Sequence, residues 1–149
     1  MAETRGEMKH TIILAIAIAL AAGPSFASPA RVRLTEHQDA EGKRTYYMAP
    51  REAVQNSPTW DARSDPPMSV SQAISSAIAW LQAKHASFTF DGVNYVTLSK
   101  IWENDFPNRW YYSLMATGRA TIDGTEVCKS FNVILLMEGT VVEPSDTEE

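Results

Sequence analysis

Residues 110–137 read WYYSLMATGRATIDGTEVCKSFNVILLM. At their centre, Asp123-Gly124 is a strong signal for a two-residue hairpin turn, because both positions must take positive φ. The turn predicts two long strands, residues 109–122 and 125–138, and it fixes how they pair. If Ile122 faces Thr125, then Tyr112 faces Leu135, Leu114 faces Val133, Ala116 faces Phe131 and Trp110 faces Met137. Each pair is apolar, and all lie on one face. A slip of one residue would scatter the set across both faces. Turn chemistry and apolar pattern are independent clues, and here they agree.

The opposite face carries Tyr111, Ser113, Met115, Ile134 and Leu136, with Arg119 and Cys128 further along. A wholly solvated sheet face would be more polar. Something is therefore expected to cover it: residues 28–67 folding back, a second copy of the chain, or a partner protein.

Upstream of the hairpin the period is helical. Ser69 is a good N-cap and Gln72 stands three residues on, which makes a capping box. Met68 before the cap can pack on Ala73 as a hydrophobic staple. Val70, Ile74, Ala77, Ile78 and Leu81 form one apolar stripe, flanked by Trp80, and Lys84-His85 suit the helix C-terminus. Residues 93–102 then alternate as a strand, and Asn104-Asp105-Phe106-Pro107-Asn108 reads as a loop. A turn at Glu138-Gly139 starts a short last strand, residues 140–143. The expected fold over residues 68–143 is α+β, one amphipathic helix packed on an antiparallel β-meander of about four strands. Residues 144–149 read as an acidic tail that stays disordered.

Residues 28–67 are less patterned. Residues 31–35 alternate weakly, Glu41-Gly42 could turn, and residues 44–48 are β-prone, so a hairpin is one reading and a flexible arm the other. Pro50, Pro58, Pro66 and Pro67 punctuate the connection to the helix.

Ahead of all this stands an export signal, residues 1–27. Lys9 and His10 precede an apolar run at 11–22, Gly23-Pro24 breaks it, and Ser25-Phe26-Ala27 supplies small residues for cleavage after Ala27. About twelve apolar residues are too few for the ~20 that span a bilayer. No membrane anchor is expected after cleavage, and the location is periplasmic or secreted. Glu3 and Glu7 place acid where such a leader is basic, and Met8-Lys9-His10 opens one conventionally, so translation is expected to start at Met8.

The net charge of −5 and the lack of a basic stripe argue against nucleic acid as a partner. Cys128 is the one cysteine, which excludes an internal disulfide and a multi-cysteine zinc site. It reads as a half-buried strand residue. Behind the leader the only histidines are His37 and His85. His85 is most simply a helix end. Glu36, His37, Asp39 and Glu41 read as a solvated loop, and Glu103 and Asp105 as surface carboxylates. No nucleophile elbow, His-Glu-x-x-His pair or phosphate-cradling glycine loop occurs. No catalytic residue, metal or cofactor is expected.

Met68-Ser69-Val70-Ser71-Gln72-Ala73-Ile74-Ser75-Ser76-Ala77, Trp110-Tyr111-Tyr112-Ser113-Leu114 and Glu138-Gly139-Thr140-Val141 resemble three successive motifs of small exported PepSY-like domains, which share a cystatin-like plan. The resemblance covers about residues 68–143 and implies a regulatory or protein-binding role, sometimes inhibitory toward proteases. The Gln-x-Val-x-Gly and Pro-Trp hairpins of true cystatin inhibitors are absent, so inhibition of papain-like proteases is not implied.

The expected function is an exported, non-enzymatic protein-binding or regulatory module. Its candidate partner-binding residues are Trp102 and Phe106 in the aromatic loop and Tyr111, Met115, Ile134 and Leu136 on the sheet face, since aromatic side chains often anchor binding. Two alternatives are a structural subunit that dimerises through the outer sheet face, and a small NTF2-like enzyme with His85 or His37 beside a carboxylate in a deep pocket.

Overall fold

The computed structural model describes residues 30–147. The expected leader, its cleavage after Ala27, the start at Met8 and the last two residues lie outside this range. Strand β1 (Arg31–Gln38) and β2 (Arg44–Pro50) form a hairpin that runs into helix α1 (Arg51–Asn56). Helix α2 (Val70–Lys84), then β3 (Thr89–Lys100), β4 (Trp110–Ile122), β5 (Thr125–Leu136) and two short strands, β6 (Val141–Val142) and β7 (Pro144–Ser145), follow. The strands make two antiparallel sheets, one ordered β1-β2-β7 and one ordered β3-β4-β5-β6. The fold is α+β and mostly strand. Its plan corrects the expected single helix on one meander: among the described residues there are two helices and a second sheet.

The central hairpin forms with the register that its turn dictates. Asp123 and Gly124 take φ of 52° and 79°. Ile122 pairs with Thr125, Ala116 with Phe131, Leu114 with Val133 and Tyr112 with Leu135. The expected Trp110–Met137 pair is not part of this ladder. It stops at Tyr111–Leu136, and the Gly139 N–H donates to the Leu136 carbonyl at 2.9 Å to turn the chain. Trp110 pairs instead with Lys100 on β3. That strand begins four residues before the expected one and ends at Lys100, which leaves Trp102 outside the sheet.

Helix α2 starts where Ser69 and Gln72 predict. The Gln72 N–H donates to Ser69 Oγ at 3.3 Å, and the Ser69 N–H to Gln72 Oε1 at 2.8 Å. Such a cap contributes about 1 kcal/mol. Ala73, Ala77 and Leu81 are buried with Tyr112, Leu114, Ala116, Val133 and Leu135, so the helix lies on the face that the register sets apart for it. Met68 is buried in the same cluster.

The other face of the sheet is covered by the chain itself. Val32, Tyr47 and Ala49 of the hairpin and Val54 of α1 bury Tyr111, Ile134, Leu136 and Val142 in a second core. Of the coverings left open by the sequence, the chain's own N-terminal part provides it, residues 31–56, as a hairpin and α1. Helix α1 was not foreseen among the prolines. Its C-terminal carbonyls, which no helical N–H can reach, accept from Arg109: Nε donates to Val54 at 3.1 Å and Nη2 to Gln55 at 2.8 Å.

The two sheets are joined by a strap. Val141 and Val142 pair with Leu135 and Ile134, while Pro144 and Ser145 pair with Tyr47 and Tyr46 of β2. The start of the expected disordered tail is thus a strand. Between the two, Glu143 accepts from Trp80 Nε1 at 3.2 Å with one oxygen and pairs with Lys84 through the other. The strap therefore touches both sheets and α2.

Candidate functional site

The structure separates the six residues expected to meet a partner. Phe106, Tyr111, Ile134 and Leu136 are buried in the second core, each 7% exposed or less. The Tyr111 hydroxyl is committed to the Leu34 carbonyl at 3.0 Å. Met115 is half-buried, with Asn94 Nδ2 at 3.5 Å from its sulfur. These positions are apolar because the hairpin and α1 cover them. A dimer through Tyr111 and Ile134 loses its surface for the same reason. Trp102 alone of the six is fully presented, at 85% exposure.

The loop that carries Trp102 is braced at several points. Its ends are closed by the Ile101 N–H donating to the Arg109 carbonyl at 2.8 Å, and its middle by the Phe106 N–H donating to the Glu103 carbonyl at 3.0 Å. Asn108 takes a positive φ of 57°, and its carbonyl accepts from the Trp60 N–H at 2.9 Å. Arg51 of α1 lies over the Phe106 ring, 4.7 Å from its centroid. It pairs with Asp105 and stands 3.6 Å from Glu103. The two carboxylates thus hold the loop to α1 through one guanidinium. A hollow of about 210 Å³ lined by Lys100, Trp102, Glu103 and Pro107 lies beside the indole.

A larger groove, about 530 Å³, opens where the β1–β2 hairpin, the end of α2, β5 and the strap meet. That volume is in the ~300–1,000 Å³ range of ligand sites. His37, Tyr47, Trp80, His85, Lys129 and Asn132 are among its lining residues. Both histidines expected behind the leader therefore come together here, which their spacing in the chain does not reveal. The His85 ring packs against Phe131 at 5.3 Å, and Lys129 lies over the same ring at 5.1 Å. Asp39 and Asp146 also line the groove. Asp39 Oδ1 accepts from the N–H groups of Glu41 and Lys43 at 3.0 and 2.9 Å, and Asp146 pairs with Lys43 at 3.2 Å. Among the described residues, no group of three or more His, Cys, Asp or Glu side chains could hold a metal ion. Tyr47 at the groove floor is pushed up to about 12 by burial and by the neighbouring Tyr95. It stays a neutral donor, and its hydroxyl reaches the Asn132 carbonyl at 3.4 Å.

Cys128 stands on β5 as expected, but exposed rather than half-buried, opposite Arg119. No helix among the described residues is long and apolar enough to cross a membrane. Comparison with protein-family models, with curated proteins and with solved structures finds no match to this chain.

Proposed function

We propose that the protein is an exported, non-enzymatic binding or regulatory module of PepSY-like plan that meets a partner protein through Trp102. One observation carries this reading: a tryptophan 85% exposed on a loop tied down by Arg51 and Arg109. Tryptophan is prominent among residues that dominate interface energy. A loop already held in place loses little further entropy on binding. The laying of α2 on a four-stranded antiparallel sheet supports the PepSY-like plan.

The test compares two baits, the wild-type chain and Trp102→Ala, in affinity capture from the envelope fraction of the source cells. Trp102→Ala is expected to keep its thermal midpoint, because the side chain is outside both cores, and to lose the captured partner. Equal capture by both baits counts against the reading. Export is tested separately, by mass spectrometry of the N-terminus: a chain beginning at Ser28 is expected, and an intact leader on the envelope protein would contradict it.

A further inference from the structure

The four-stranded sheet has two edges of different character. At one, β3 is irregular: its register against β4 shifts between Phe90 and Gly92 and again between Val93 and Tyr95. Bulges of this kind keep an edge from taking up another strand. At the other, β5 pairs with β4 without a shift from Thr125 to Leu136. There β6 covers only Ile134 and Leu135. Among the described residues, 125–133 therefore have a strand on one side alone.

Backbone alternation decides which groups this leaves over. The Leu136 N–H donates to the Thr140 carbonyl at 2.9 Å, and the Asn132 carbonyl accepts from the Tyr47 hydroxyl at 3.4 Å, so both point away from β4. In an antiparallel ladder every second residue faces the same neighbour. The N–H and C=O of Ser130 point the same way as those of Asn132, and both residues line the 530 Å³ groove. The groove also continues the line of β6. Had the chain run straight past Val142, residues 143–146 would lie against 130–133, but Pro144 and Ser145 cross to β2 instead. A strand position is open beside Lys129–Asn132. Trp80, His85, Phe131, His37 and Tyr47 line the groove around it.

Charge selects the occupant. The acids near the groove are already matched: Asp146 by Lys43, Glu143 by Lys84, and Asp39 by two backbone N–H groups. Lys129 is exposed, lies over the Phe131 ring and forms no ion pair among the described residues, although Asp39 and Asp146 line the same groove. We propose that this slot takes up an extended acidic segment of a partner protein by strand addition. The segment's backbone pairs with both groups of Ser130 and with the N–H of Asn132, whose carbonyl keeps the Tyr47 hydroxyl, and an acidic side chain meets Lys129. The inference rests on the binding-module reading but adds a second surface, which shares no residue with the Trp102 loop.

The probe is the peptide acetyl-Glu-Val-Glu-Val-Glu-Val-amide, with acetyl-Lys-Val-Lys-Val-Lys-Val-amide as its counterpart. Amide hydrogen exchange of the full chain is read by NMR. The acidic peptide is expected to slow exchange at Ser130 and Asn132 by about tenfold or more at saturation, and the basic one to leave it unchanged. Lys129→Glu should reverse that preference. Ser130→Pro removes an outward N–H while leaving the β4 ladder intact. It should abolish the effect with the Phe131 amide still protected. Slowing along β3 instead, equal slowing by both peptides, or slowing by neither, as for an edge that Lys129 merely blunts, overturns the proposal. Trp102→Ala is expected to leave the peptide effect intact. If the peptides fail while capture still depends on Trp102, the strand-addition site falls and the binding-module reading stands.

Discussion

The Tyr112 hydroxyl donates to the Met68 carbonyl at 2.8 Å, so the middle of the sheet holds the chain one residue ahead of the α2 cap. Both groups are buried. Tyr112→Phe keeps the ring in the core and strands the carbonyl. The expected cost is about 1–2 kcal/mol, read as a lower urea midpoint with an unchanged slope. A loss below about 0.3 kcal/mol would mean that the bond contributes nothing net.

Gly118 sits under Phe88. A Cβ at this position would come 2.5 Å from Phe88 Cε2 and 2.5 Å from the Thr89 carbonyl oxygen. One of these contacts is with a core ring and the other with backbone, so neither moves freely. Gly118→Ala is expected to destabilise by about 1–3 kcal/mol through overpacking. Phe88→Leu in the same background should recover only part of the loss, because the Thr89 oxygen stays where it is. Full recovery in thermal unfolding would contradict this.

Tyr47 makes stability depend on alkaline pH. Its hydroxyl is raised from 10.0 to about 12 in the folded chain, first by burial and then by Tyr95. The native state therefore favours the neutral form. Below pH 10 the folded and unfolded chains are both neutral at this group, and stability is full. Between pH 10 and 12 the unfolded chain ionises first, so stability falls by up to about 1.4 kcal/mol per pH unit. Burial raises Tyr112 in the same direction and adds to the loss. Tyr47→Phe should flatten part of the fall in urea midpoint across this window. Parallel pH profiles for the two proteins would refute the assignment.

Cys128 is exposed on the regular strand β5. Ellman's reagent should titrate it in the native protein as readily as in urea. Cys128→Ser should change stability by no more than about 0.5 kcal/mol, as surface substitutions do. Reaction only after unfolding would show the thiol to be covered.

The β4–β5 hairpin is legible in the sequence because two local signals, Asp123-Gly124 and the apolar alternation, each fix its register. The start of α2 is legible because Ser69 and Gln72 name it within four residues. Helix α1 is too short, at six residues, for a helical period to show. In β1 a register shift between Arg33 and Thr35 interrupts the alternation, which is why hairpin and flexible arm read alike. The binding face was misjudged on physical grounds: Tyr111, Ile134 and Leu136 carry the same pattern whether their own chain or a partner covers them. Trp102 and Phe106 stand four residues apart in one loop, yet only Phe106 falls under Arg51, a contact made across about a third of the chain. The groove is further from sight, because His37, Trp80 and Lys129 meet from three distant segments and share no spacing.

The strap gives the fold a direction in time. β2 lies between β1, its immediate predecessor, and β7, which is made about a hundred residues later. As the chain leaves the ribosome, Val32, Tyr47 and Ala49 wait bare until Tyr111, Ile134 and Leu136 arrive to receive them. A pairing so distant closes slowly. The early hairpin is thus the segment that must be kept from wrong company, and a chain halted before Val141 would lack the strands that bridge its two sheets.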